Sequence, residues 1–113
     1  MISEKINNAL NQQINKEFYS SYLYLSISAY LRESGLLGFA HWTKMQAKEE
    51  LLHGEKIFDF LIDRKGTVYL DKIEKPELNF ETPLELFEFI YEHEQSITQA
   101  IMCVAQQAEE ECD

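Results

Sequence analysis

Three long segments of the chain repeat small or apolar residues at alternating spacings of four and three, and each repeat is interrupted by one glutamate. We call each repeat a seam, because this spacing puts its residues on the core-facing side of a helix in a bundle. The interrupting residues are Glu17, Glu50 and Glu94, each near the middle of its seam. An isolated carboxylate is costly to bury. The fold therefore has to bring each glutamate to a partner or a ligand.

The seams are expected to fill the core between the helices. They comprise Leu10, Ile14, Glu17, Ser21, Tyr24, Ser28 and Leu31, then Leu36, Ala40, Thr43, Ala47, Glu50, Gly54, Ile57 and Leu61, and finally Phe87, Tyr91, Glu94, Thr98, Ile101, Ala105 and Ala108. The first segment is also apolar on its other faces, and a helix that is apolar all round is covered on more than one side. In a chain of 113 residues this indicates contacts between subunits.

Capping residues and glycines set the predicted helix ends. Ser3 suits an N-cap, Gly35 suits a left-handed C-terminal cap, and residues 82–85 (Thr-Pro-Leu-Glu) have the pattern of a capping box. The sequence therefore predicts helices over about 3–33, 36–64 and 83–110 and a crossover loop over about 65–82.

The lengths of the connections predict the topology. The first connection is short, so the second helix should return antiparallel to the first. The loop could span about 55 Å when extended, which exceeds the roughly 42 Å length of a helix of about 28 residues. It can therefore run along the bundle and leave the second and third helices parallel. The prediction is an all-α, up-down helix bundle with a long crossover loop, in a single domain over 1–113.

A metal site is the partner that best explains the seam glutamates. Each of them alone could turn to the surface or pair with a lysine, but no Lys or Arg lies on the seams. His53 follows Glu50 by three residues, so the two share a helix face. Several carboxylates at one buried point need a cation. Carboxylates with one imidazole suit iron or manganese, and zinc can also enter. Two metals bridged by a carboxylate would use this many ligands.

Composition narrows the classes of partner and the compartment. The formal net charge is −10, from 20 acidic and 10 basic residues, which is the wrong sign for nucleic acid and can attract cations. No apolar run approaches the roughly 20 residues of a membrane span, and no export signal opens the sequence. Cys103 and Cys112 have neither metal-ligand spacing nor a disulfide framework. A reducing cytoplasm is therefore expected.

Three stretches resemble non-haem bacterial ferritin, a ferritin-like di-iron family. They are residues 15–24 (NKEFYSSYLY), 49–53 (EELLH) and 91–99 (YEHEQSITQ), and the likeness extends over nearly the whole chain and its crossover loop. The resemblance implies a ferritin-like four-helix bundle, of which three long helices are encoded here. Nothing marks a haem site, so bacterioferritin is less similar.

The resemblance also implies roles for individual residues. Glu17, Glu50 and His53 would form a first iron site, Glu50 would bridge to a second iron, and Glu94 would help to bind that iron. Tyr24 would stand beside the centre, although an ordinary core aromatic fits this position equally well.

One further acid and two histidines complete the site predictions. Glu49 resembles a contributor to a third, inward-facing iron site, although a solvated helix acid fits it equally well. His41 and His93 are expected at the surface or at an interface, and not as ligands.

The implied function is ferroxidase activity and iron storage. Fe(II) would be oxidised by O2 or peroxide, and ferric mineral would collect in a homo-oligomeric shell of 24 subunits. The family has a fourth long helix with a Gln-x-x-Glu arrangement and usually a short fifth one, and this sequence ends before either. A truncated subunit that binds iron or assembles without turnover is therefore an alternative. A rubrerythrin-like peroxidase ranks last, since only one Glu-x-x-His motif is present.

Overall fold

Three long helices form the part of the chain that the structure describes. This computed structural model covers residues 2–110, without the side chain of Ala108, and Cys112 lies outside this range. The helices are α1 (Glu4–Glu33), α2 (Leu37–Asp63) and α3 (Pro83–Glu110), and residues 2–110 contain no strand. The all-α class is confirmed, and each helix begins and ends within one residue of its predicted bounds. Across the same range, no helix is long and apolar enough to cross a membrane.

The predicted capping residues act at the helix ends. The Ser3 hydroxyl accepts a hydrogen bond from the Ile6 amide at 3.2 Å, and Gly35 follows α1 with φ +82°. The Glu85 amide donates to the Thr82 hydroxyl at 3.3 Å. In this way local side chains satisfy amides that lack a partner inside the helix.

Serines on the α1 seam bind α1 closely to α2. The Ser21 hydroxyl donates to the Ala47 carbonyl at 2.7 Å, and the Ser28 hydroxyl donates to the Ala40 carbonyl at 2.6 Å. Bonds from side chain to backbone at these distances require small residues on both helices. The first two seams are thereby confirmed as the α1–α2 interface, since nearly all of their residues are buried.

Three asparagines on α1 hold the start of the crossover loop. The Asn7 side chain bonds to both the amide and the carbonyl of Thr67, at 2.9 and 3.2 Å. Asn11 donates to the Thr67 carbonyl at 2.8 Å and accepts from the Tyr69 amide at 2.6 Å. One turn further along, Asn15 donates to the Lys72 carbonyl at 3.0 Å. The loop therefore follows α1 from its first turn onwards, as a crossover along the bundle requires.

The Asn11→Leu variant should lower the free energy of unfolding by about 1–2 kcal/mol, because it removes hydrogen bonds worth about 1 kcal/mol each. Asn8 is exposed on the same helix, so Asn8→Leu is the matched control and should change little. Urea denaturation measures the stability, and limited proteolysis reports cleavage within residues 65–82. Equal stability and equal cleavage of the two variants would show that Asn11 does not anchor the loop.

Helix α3 packs against α1 through a different face from the predicted one. On the third seam Tyr91 and Ile101 are exposed, whereas the buried residues are Leu86, Ile90 and Ile97. The predicted third seam is therefore wrong, because the buried repeat lies one residue earlier in the sequence. Both repeats are apolar in the sequence, so spacing alone could not choose between them. The predicted direction of α3 is confirmed, since the Phe87 ring near its start lies 4.8 Å from that of Phe39 near the start of α2.

Candidate metal centre

The structure brings Glu17, Glu50 and His53 to one point between α1 and α2. His53 Nδ1 lies 3.8 Å from Glu17 Oε2 and 3.7 Å from Glu50 Oε2. One ligand atom from each residue lies within 4.8 Å of the other two. Glu50 and His53 share a face of α2 because they are three positions apart, and the α1–α2 interface adds Glu17 from the opposite side.

The carboxylates of Glu17 and Glu50 are buried, and each has an oxygen atom without a hydrogen-bond partner. Glu17 is 0% and Glu50 is 4% exposed, and the Oε2 atom of each has no hydrogen-bond partner. Burial, followed by the neighbouring Glu17 carboxylate, raises the pKa of Glu50 to about 9. Such groups are costly to bury unless something compensates them. A divalent cation would supply that compensation, so the donor set fits a hard metal ion.

The imidazole connects this buried pair to solvent. The His53 side chain is 50% exposed, in contrast to the two carboxylates. It therefore forms the outer wall of the site.

Tyr24 and Glu94 form a second polar pair beside the cluster. The hydroxyl of Tyr24, a residue that is fully buried, donates to Glu94 Oε1. Burial, followed by that hydrogen bond and the charge of Glu94, raises the pKa of Tyr24 far above its ordinary value. Glu94 is half-buried and does not belong to the group of three ligands. Its predicted role at a second metal therefore stays a prediction, as does the role of Tyr24.

Glu49, His41 and His93 do not belong to the group of three ligands. Glu49 and His41 are exposed. His93 lies between α3 and α1, where its Nε2 is 2.8 Å from the Ser20 hydroxyl. That hydroxyl also donates to the Lys16 carbonyl, so Ser20 accepts from His93. Burial lowers the pKa of His93, which agrees with a neutral, packed ring.

Gln13 is a site residue that sequence reasoning missed. It is 3% exposed, and its Nε2 donates to Glu17 Oε1 at 3.0 Å. The available signal was its position four residues before Glu17, which puts both side chains on one face of α1. Gln13 lies off the predicted seam, so it was not expected to be buried.

Known proteins share this architecture. The family profile described as a ferritin-like domain matches residues 7–113. The bacterial non-heme ferritin of Bacteroides fragilis (strain 638R) is 46% identical over 101 residues, which cover 89% of this chain and 64% of that protein. The chain therefore spans a little less than two thirds of the length of this curated relative.

Two solved structures confirm the likeness in three dimensions. An open pore ferritin from the hyperthermophilic archaeon Archaeoglobus fulgidus is 46% identical with a TM-score of 0.95, over 99% of this chain and 68% of that one. The Chlorobium tepidum ferritin is 34% identical with a TM-score of 0.96, over 100% and 69% of the two chains. The resemblance to non-haem bacterial ferritin and the ferritin-like fold are thus confirmed, and the chain belongs to the family of ferritin-like domains.

Proposed function

We propose that this chain binds Fe(II) as a substrate at the Glu17–Glu50–His53 centre, oxidises it, and serves iron storage in the cytoplasm. The observation that carries the proposal is the pair of buried, unpartnered carboxylate oxygens that face a half-exposed imidazole. Membership of the ferritin-like family and relatives named ferritin support the choice of iron. The site would lie within a single domain over residues 1–113.

Each predicted ligand has a role in this proposal. Glu17 and His53 bind the first iron, and Glu50 bridges it to a second one. Glu94 contributes to the second iron, where the hydrogen bond from Tyr24 orients its carboxylate. Glu49 is exposed beside Glu50, so it would serve the third, inward-facing site and not the buried pair.

The proposed chemistry is a transfer of electrons from iron to oxygen. Two Fe(II) ions each lose one electron, and O2 takes up both electrons and two protons and leaves as hydrogen peroxide. Peroxide can then oxidise further Fe(II). Carboxylate oxygens are hard ligands that favour Fe(III) over Fe(II). Because burial and the neighbouring Glu17 carboxylate raise the pKa of Glu50, binding of a cation there would be accompanied by release of a proton.

Storage requires copies of the chain to assemble. Large apolar side chains are exposed on α2, among them Leu51, Leu52, Phe60 and Ile62, and on α3, among them Tyr91, Ile101 and Met102. Exposed apolar surface of this kind marks protein contacts. We propose a homo-oligomeric shell, with the 24 subunits implied by the family resemblance, whose acidic chains concentrate cations.

Aerobic oxidation of Fe(II), followed by ultraviolet absorbance, tests the proposal. The wild-type chain should exceed the rate in buffer, and Glu50→Ala should fall to the buffer rate because it removes the bridging carboxylate. Glu55 is an exposed acid on the same helix, so Glu55→Ala should keep the wild-type rate. Equal rates for wild type, Glu50→Ala and buffer would contradict the ferroxidase proposal.

Iron binding without turnover is the second candidate function. It is favoured by one observation: among the described residues, three ligand groups come together, and Glu94 is not among them. Three groups suffice to bind one ion, whereas the proposed oxidation uses two. A chain that binds Fe(II) without air, yet oxidises it no faster than buffer, would establish this candidate over the first.

A further inference from the structure

The two carboxylate oxygens of Glu17 have different surroundings. Oε1 accepts the hydrogen bond from Gln13 Nε2 at 3.0 Å. Oε2 is buried without a hydrogen-bond partner and lies 3.8 Å from His53 Nδ1. Glu17 can therefore offer Oε2 to a cation without losing its existing hydrogen bond, whereas Oε1 is already engaged.

Gln13 is a buried residue as well as a hydrogen-bond partner of Glu17. Its side chain is 3% exposed, and it lies one helical turn before Glu17 on α1. Its amide donates a hydrogen bond but carries no charge. A lysine at this position would neutralise Glu17 and compete with a metal ion. The glutamine instead restrains the carboxylate and leaves its negative charge available to a cation.

We infer that Gln13 is a positioning residue of the metal centre, whose side-chain amide holds Glu17 with Oε2 directed at Glu50 and His53 before the cation arrives. This inference rests on the proposed function, since it requires a cation at this site. Groups that hydrogen-bond to a metal ligand orient it, and their loss typically lowers metal affinity about 10- to 100-fold.

Titration with Co(II) chloride, followed by visible absorbance, tests this role on the whole chain. Methionine resembles glutamine in length and helix propensity but lacks the amide donor. Gln13→Met should bind Co(II) about 10-fold or more weakly and with an altered absorption spectrum. Gln12 is the exposed neighbour, so Gln12→Met should match wild type in both. If Gln13→Met keeps the affinity and the spectrum of wild type, the inference is overturned.

Two further variants separate this inference from the proposed site. If wild type and Glu17→Gln bind Co(II) equally, the proposed centre is wrong and the inference fails with it. If Glu17→Gln abolishes binding but Gln13→Met does not weaken it, the inference alone fails. Circular dichroism verifies helicity, and Gln13→Ala replaces Gln13→Met if that variant does not fold. A purely packing role would lower the unfolding temperature without changing the Co(II) spectrum.

Discussion

At pH 8 and without metal, the Glu50→Gln chain should unfold about 5 °C or more above wild type. Burial, followed by the Glu17 carboxylate beside it, raises the pKa of Glu50 from its ordinary value of 4.5 to about 9. Between those two values the folded state retains a proton that the unfolded state has released. The stability of wild type therefore falls as pH rises through this window. Glutamine is neutral throughout, so the variant avoids this loss.

The pH profile of thermal unfolding identifies the cause. The advantage of Glu50→Gln should be small near pH 5 and should grow towards pH 9, as measured by circular dichroism. Glu55→Gln replaces an exposed acid on the same helix and should show no such trend. An advantage that stays constant from pH 5 to pH 9 would mean that the titration of Glu50 is not responsible.

Adding Co(II) should narrow the difference in stability between the two chains. A ligand that binds only the folded state stabilises it by about 2.7 kcal/mol at one hundred times its Kd. Wild type should gain this stability, whereas Glu50→Gln should gain much less, because it lacks one of the three ligand groups. An equal gain in both chains would place the Co(II) site away from Glu50.

The Gly54→Ala variant should lose about 1–3 kcal/mol of stability, against the usual effect of this substitution. Within a helix, alanine is normally better than glycine by up to about 1 kcal/mol. At Gly54, however, a Cβ atom would lie within 2.6 Å of Phe18 Cδ1 and 3.2 Å of its Cζ. Forcing extra volume into packed contacts typically costs about 1–3 kcal/mol. Urea denaturation of both chains measures the difference.

Gly38 provides the matched control on the same helix. A Cβ atom there would meet nothing within 4 Å, so Gly38→Ala should be neutral or slightly stabilising. Gly54 follows His53, and Phe18 follows Glu17, so Gly54→Ala should also weaken Co(II) binding by moving α1 away from α2. If both alanine variants are stabilising, the contact with Phe18 does not constrain this position.

Much of the packing of α1 against α2 could be predicted from the sequence, because the core-facing repeat of each helix is clear. On α1 a carboxylate, two serines and an aromatic alternate with aliphatic residues at core spacing. Only a shared, tightly packed interface explains Ser21 and Ser28, whose hydroxyls donate to backbone carbonyls of α2. The convergence of Glu17 with Glu50 follows from the same argument, since each lies in mid-seam and the helices are antiparallel.

The face of α3 and the role of Gln13 could not be predicted in this way. Ile90 and Tyr91 belong to two overlapping apolar repeats on α3. The packing of α3 against α1 buries the repeat that contains Ile90. Gln13 is polar and lies off its seam, so periodicity predicts exposure. In the fold Gln13 is buried and donates a hydrogen bond to Glu17, a pairing that becomes visible only when both side chains are positioned.

The asparagine contacts along α1 match the residue spacing of a helix to that of the extended loop beside it. Four residues of helix rise about 6 Å, and two residues of extended chain advance about 6.6 Å. Asn7 and Asn11 therefore meet Thr67 and Tyr69 almost in step, as in the edge of a β-ladder made from side-chain amides. An inserted residue between Thr67 and Tyr69 would break this register, whereas a change in length within residues 73–77, which lie beyond the last asparagine contact and before Leu78 packs against the core, should be tolerated. The structure thereby separates a part of the crossover whose length is fixed from a part whose length is free to change.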